Sequence, residues 1–245
     1  MASLSGFTLS DFAFEGVSKP VYRIGEGPAV VLIHELPGMT PQCVDLARRL
    51  ASAGYAVYLP LLFGEPMKDY GITPLLWPCV WKEFNLLGAK AKSPVTDWLR
   101  ALARSAHAER GGKGVGAIGM CLTGGFALSM MLDPELLAPV VCQPSMPLTP
   151  WGRAELGLPD DEWACARRRV KEEGAKVLGF QFTRDPVSPR ARFQTLKDGL
   201  GEGFREVVIE GAKHSVLTHH FRDMSAADQA RVWGELTAFL AERLR

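Results

Sequence analysis

The sequence predicts an α/β fold, a single doubly wound and mostly parallel sheet flanked by helices, on three observations. Short β-branched runs such as AVVLIHEL (residues 29–36) open on unbroken apolar stretches, the pattern of strands buried on both faces of a parallel sheet. Such runs alternate along the chain with stretches of helical spacing, as crossover connections require. The chain has 245 residues, 47% hydrophobic and 22% charged, without internal repeats or low-complexity segments. Residues 1–245 therefore read as one domain built on one core.

Taken in order, Phe7–Glu15 and Pro20–Ile24 alternate loosely and end at glycines, which suits a short antiparallel pair. Residues 29–36 follow as the first buried strand, stopped by Pro37-Gly38. A helix is expected over residues 41–53, with Val44, Leu46, Ala47 and Leu50 on one face and Gly54 after it. Strands at 55–63, 114–120, 139–144, 176–182 and 205–211 are then interleaved with helices at 94–109, 123–132, 190–200 and 226–243. Two segments, about 64–92 and 146–173, are too long for simple connections. Both follow predicted strands, at the carboxyl edge where open α/β sheets bind ligands, so both are expected to be lid-like insertions forming pocket walls.

Charge and cysteine content exclude several classes. A formal net charge of +1 offers no reason to expect nucleic acid or an anionic membrane as partner. The N-terminus lacks a basic stretch and a long apolar core, so no secretory signal is expected, and no run is long enough to span a bilayer. Five cysteines without a short-spaced pair suggest neither a disulfide framework nor a zinc site. The thiols are expected to be reduced in a cytoplasmic compartment, and each is by default a small buried hydrophobe.

One cysteine stands apart. In IGMCLTGGFALSMM (118–131) a strand, a glycine-flanked turn and a helix put Cys121 where a hydrolase carries its nucleophile. Nucleophilic catalysis further needs an imidazole and a carboxylate to orient it. Asp185 follows the strand KVLGFQF, in TRDPVSP, and His214 follows REVVIEG, in GAKHSV. Nucleophile, acid and histidine thus arrive in the order of the α/β-hydrolase architecture, each after a strand. Singly, Cys121 is a core thiol, Asp185 a cap for the next helix, and His214 a loop histidine; the three together favour a triad. The same geometry places oxyanion donors at the backbone N–H groups of Leu122 and Leu36. His34 reads as a satisfied core histidine, His107 as a helix-surface residue, and His219 and His220 as loop residues with no demanded role.

The stretch Gly119-Met120-Cys121-Leu122-Thr123-Gly124-Gly125, with RDPVSP and GAKHS downstream, resembles the dienelactone hydrolase family over nearly the whole chain. That resemblance implies an α/β-hydrolase fold and a Cys–Asp–His triad. It also implies that Glu35, in IHELPGM, contacts and helps to activate the resting thiol. Independently, a carboxylate ending an apolar strand is costly to bury unless paired. Two positions depart from the family pattern. Thr123 stands where the family has glycine, so the turn must tolerate a side chain or use it near the pocket. The family's substrate-binding arginine after the histidine is missing from Ser215-Val216-Leu217-Thr218, and the segment after the fourth strand offers Lys68 and no arginine. Phe63, Trp77, Trp81 and Trp151 are the candidate pocket residues, either as walls for an uncharged ligand or as packing for the insertions.

The expected activity is hydrolysis of a small ester, lactone or thioester through a thioester acyl-enzyme, on a neutral or apolar small molecule rather than anionic dienelactone. Neither a metal nor an organic cofactor is required. The alternatives are an acyltransferase or isomerase using the same triad, or a non-catalytic ligand-binding or redox-responsive protein on the same fold. Oligomeric state has no signal in the sequence.

Overall fold

The structure, a computed structural model, describes residues 4–71, 73, 77, 91–145 and 152–245. Among them eight strands form one sheet: β1 (Thr8–Phe14), β2 (Val17–Ile24), β3 (Ala29–Ile33), β4 (Ala56–Pro60), β5 (Val115–Met120), β6 (Leu136–Cys142), β7 (Val177–Phe182) and β8 (Phe204–Ile209). The order is β1-β2-β4-β3-β5-β6-β7-β8. β1 and β2 form the expected antiparallel pair, β2 runs antiparallel to β4, and all other neighbours are parallel.

Side-chain alternation builds two cores, one on each face of the sheet. From β3, Ala29, Val31 and Ile33 join Trp98, Leu99 and Leu102 of helix α2 (Pro94–Arg110). Val30 and Leu32 point the other way, towards Val44, Ala47 and Leu50 of α1 (Pro41–Ser52). The remaining helices are α3 (Gly124–Ser129), α4 (Asp160–Glu173), α5 (Arg190–Leu200) and α6 (Ala226–Leu244). Thr40 caps α1 by accepting from Cys43 N–H at 3.4 Å, and Pro41 fills the first helical turn, where no N–H is needed. Among the described residues no helix is long and apolar enough to cross a membrane.

Several boundaries differ from the sequence expectation. β3 stops at Ile33, so His34, Glu35 and Leu36 leave the sheet and are free to serve the site. β6 starts three residues before Pro139, because a proline is accommodated where its missing N–H leaves no necessary bond unmade. The helix expected over 123–132 is a 3₁₀ turn (Cys121–Thr123), then α3, then a second 3₁₀ turn (Met130–Leu132). The second insertion needs the largest correction. Its last fourteen residues are α4, an ordinary crossover helix between β6 and β7. The helical period was concealed because two of its four buried positions are charged, Glu162 and Arg169. Most of the first insertion and residues 146–151 of the second lie outside the described residues.

Candidate active site

β5 is one of the central strands of the sheet and delivers the chain to a tight turn at its carboxyl end. Cys121, the first residue of that turn, has φ +53°, a left-handed conformation that costs a non-glycine residue about 1–3 kcal/mol. Two glycines make the turn possible. A Cβ on Gly119 would lie 2.2 Å from Thr123 O, and one on Gly124 would lie 2.9 Å from Pro144 Cα. The sulfur is thus held at the sheet edge, with the residue 7% exposed.

Thr123 departs from its suggested pocket role. Its side chain is fully buried and its Oγ1 accepts the Met120 N–H at 3.0 Å. The hydroxyl has the carbonyls of Met120 (2.9 Å), Ile33 (3.2 Å) and His34 (3.4 Å) as acceptors. Threonine therefore closes the turn on itself and ties it to the end of β3, and its hydroxyl faces strand ends rather than a ligand.

Asp185 follows β7. Its Oδ1 accepts the N–H groups of Val187 (2.8 Å) and Ser188 (2.9 Å), which fixes the carboxylate in the turn before α5. Both oxygens also face His214 Nδ1, at 2.9 and 2.8 Å. A carboxylate accepts only, so Nδ1 carries a proton, and Nε2 is the ring nitrogen left to exchange one on the opposite side. Among the described residues that Nε2 is buried without a hydrogen-bond partner. Sγ of Cys121, a carboxylate oxygen of Glu35 and a ring nitrogen of His214 all lie within 4.8 Å of one another. Burial pulls His214 down, but the negative charges of Cys121 and Asp185 outweigh it and hold the imidazole well above its usual range.

Glu35, 2% exposed, is fixed by neutral donors. Ser215 Oγ (3.0 Å) and Gln143 Nε2 (3.3 Å) donate to Oε2, and Thr218 Oγ1 donates to Oε1. Gln143, itself at φ +33°, also accepts the Val216 N–H at 3.4 Å. One buried carboxylate thus joins the exit of β3, the exit of β6 and the histidine loop. Ser145, two residues after Gln143, places Oγ 3.1 Å from Cys121 Sγ, and its N–H donates to Cys121 O at 3.1 Å. Ser145 and Gln143 had no place in the sequence argument. Their signal was positional: polar residues directly after PVVC, at the same sheet edge as the triad.

Of the other expected residues, Leu122 follows Cys121 and is buried, while Leu36 is half-buried and precedes a cis bond to Pro37. Phe63 packs edge-on to His34 at 4.6 Å and to Trp77 at 6.1 Å, and Trp77 meets Tyr70 at 4.9 Å. This aromatic row packs the first insertion on the body of the fold. Trp81 and Trp151 lie outside the described residues. His34 is the satisfied core histidine expected: Nε2 accepts the Leu62 N–H at 3.0 Å and Nδ1 donates to Glu35 O at 3.1 Å. Cys43 and Cys142 are buried thiols pushed well up by desolvation and then by the charge of Glu35, which leaves them unreactive.

The sheet order, the left-handed turn after β5, and the acid and histidine after β7 and β8 define an α/β-hydrolase. The sequence profile of the dienelactone hydrolase family matches residues 16–244, and the chain belongs to that family. It is a hydrolase. A protein described as a hydrolase fragment, YghX, from Escherichia coli (strain K12) is 48% identical over 42 residues, 17% of this chain. The match spans only 36% of that relative's length. Among solved structures, one described as a dienelactone hydrolase from Klebsiella pneumoniae superposes with TM-score 0.68 at 21% identity, covering 96% of this chain and 99% of its own. A soluble variant of monoglyceride lipase from Saccharomyces cerevisiae, in complex with a substrate analogue, gives 0.66 at 13% identity, covering 100% and 99%. At these identities the structures share the fold.

Proposed function

We propose that the chain hydrolyses small uncharged esters, lactones or thioesters through a Cys121–His214–Asp185 triad. The observation that carries this reading is the juxtaposition of a cysteine on a strained turn with a buried, Asp185-oriented imidazole whose Nε2 is unpartnered. The Cys121 thiolate attacks the carbonyl carbon, a C–S bond forms, and the carbonyl π electrons move to oxygen. The N–H groups of Leu36 and Leu122 receive that oxyanion. Collapse breaks the bond to the leaving group, which takes its proton from the His214 imidazolium, and a thioester remains on Cys121. Neutral His214 then removes a proton from water as the water attacks. The second collapse expels the thiolate and releases the acid.

Glu35 serves as the carboxylate beside the resting thiol that starts the cycle by relaying its proton to His214, which leaves a thiolate–imidazolium pair and Glu35 again a carboxylate, held for that purpose by Ser215, Gln143 and Thr218. The uncharged substrate class rests on the stretch directly after His214, where Thr218 spends its hydroxyl on Glu35 and residues 215–218 include no arginine. Phe63 and Trp77 contribute apolar surface near the site, with Trp81 and Trp151 as further candidates. The proposed setting is a reducing cytoplasm, which keeps Cys121 a free thiol.

The test is turnover of a panel of neutral lactones and aryl esters beside carboxylated counterparts, by wild type and Cys121→Ala. Neutral substrates should be preferred and the variant inactive. Equal rates for wild type and variant would overturn the triad, and a preference for carboxylated substrates would overturn the substrate class.

A further inference from the structure

The sulfur of Cys121 meets the Ser145 hydroxyl at 3.1 Å as well as facing the imidazole. Ser145 is 3% exposed, and the sulfur at 3.1 Å is the acceptor its hydroxyl has among the described residues. A buried hydroxyl that donates to nothing loses about 1–3 kcal/mol, so the proton belongs on the line to sulfur. Donation of this kind is far stronger to an anionic sulfur than to a neutral thiol.

Ser145 is not free to turn away. Its N–H donates to Cys121 O at 3.1 Å, so one residue grips both the backbone and the side chain of the nucleophile. The carbonyl just before it, Pro144 O, accepts from Ser188 Oγ (2.8 Å) and from the buried Arg192 guanidinium (2.8 Å). Ser188 is in turn bound to Asp185 Oδ1 through its own N–H. The strap carrying Ser145 is therefore anchored to the same turn that holds the triad acid.

We propose that Ser145 holds the Cys121 nucleophile as a thiolate by donating its hydroxyl proton to Sγ. This rests on the reading of Cys121 as nucleophile and adds a contact which that reading does not require. The charged and titratable groups facing the sulfur are Glu35 and His214, with Asp185 behind His214 and Arg192 behind Pro144. Replacing Ser145 alters none of them, so any change in thiolate population reports the hydroxyl.

The experiment is iodoacetamide alkylation of Cys121 against pH, read on the Cys121 peptide by mass spectrometry. It compares wild type, Ser145→Ala and Ser145→Thr in the full chain. A lost hydrogen bond to a charged group should move the Ser145→Ala midpoint up by about one pH unit. Ser145→Thr, which keeps a hydroxyl, should return it towards wild type. Ester turnover by Ser145→Ala should fall about tenfold below that midpoint and recover as pH rises through it. Thermal unfolding of each variant checks that the fold is intact. An unmoved midpoint in folded Ser145→Ala would overturn the proposal. The triad reading fails separately, if Cys121→Ala hydrolyses esters at the wild-type rate.

Discussion

Asp185 performs two tasks that a pair of substitutions can separate. Its Oδ1 accepts two backbone N–H groups, from Val187 and Ser188, while both oxygens orient His214. In Asp185→Asn the side-chain carbonyl can keep both backbone bonds, so the turn should stay intact and stability close to wild type. The amide NH₂ must then face Nδ1. It donates, which forces Nδ1 to accept and shifts the imidazole proton to Nε2, the atom that should take protons from the nucleophile and from water. The wrong tautomer in a serine-based triad costs about 10⁴ in kcat, and a fall of 10²–10⁴-fold is expected here on the same logic. Asp185→Ala should lose that activity and also leave two N–H groups unpaired, one of them on buried Ser188, at about 2–4 kcal/mol. Ester hydrolysis and urea unfolding of the two variants are the assays. If Asp185→Asn keeps activity within tenfold of wild type, Asp185 is a turn residue only. If Asp185→Asn is as unstable as Asp185→Ala, the division of its oxygens argued here is wrong.

Thr123→Val keeps the shape of the side chain but strips the Met120 N–H of its partner in a fully buried turn. It should cost about 2–4 kcal/mol in urea unfolding, with Thr123→Ser retaining most of the stability. A Thr123→Val midpoint equal to wild type would show that the hydroxyl does not close the elbow. His34 supplies a pH test of stability. Burial lowers it from 6.5 to about 4, so between these values the unfolded chain binds a proton that the folded chain does not. Stability is therefore full above pH 6.5 and falls as pH drops towards 4, by about 3 kcal/mol in all. His34→Gln should flatten that slope in unfolding curves at pH 7 and pH 5, and an unchanged slope would remove His34 from the account.

The proposed triad was legible because each of its residues is announced by a strand that ends just before it. Apolar runs give the strands, the strands give the sheet edge, and GMC, RDP and GAKH mark what stands there. Elements whose burial pattern is mixed were less legible. α4 buries Glu162 and Arg169 on the same face as Cys165 and Ala166, so the apolar period that identifies a helix is interrupted. Thr123 was left between two roles for a different reason. Its residue type fits both a pocket wall and a turn clamp, and only the close approach of Ile33 O and His34 O decides between them. Ser145 and Gln143 stand on a loop in an ordinary polar context. Their part in the site depends on which carbonyls hold that loop, and those carbonyls are remote in sequence.

The Glu35 hub bears most directly on the proposed substrate class. Its donors, Ser215, Thr218 and Gln143, are neutral, so they satisfy the oxygens without cancelling the charge. A substrate carboxylate about 6 Å from Glu35 would be repelled by about 3 kcal/mol at an effective dielectric of about 20, roughly a hundredfold in affinity. The nearby Arg192 donates to the carbonyls of Pro144, Gly152 and Glu155. A site that keeps an unneutralised carboxylate beside its nucleophile gains activation of the thiol and loses affinity for anions. On the proposed mechanism, that trade is sustainable only if the natural substrate carries no negative charge near the scissile carbonyl.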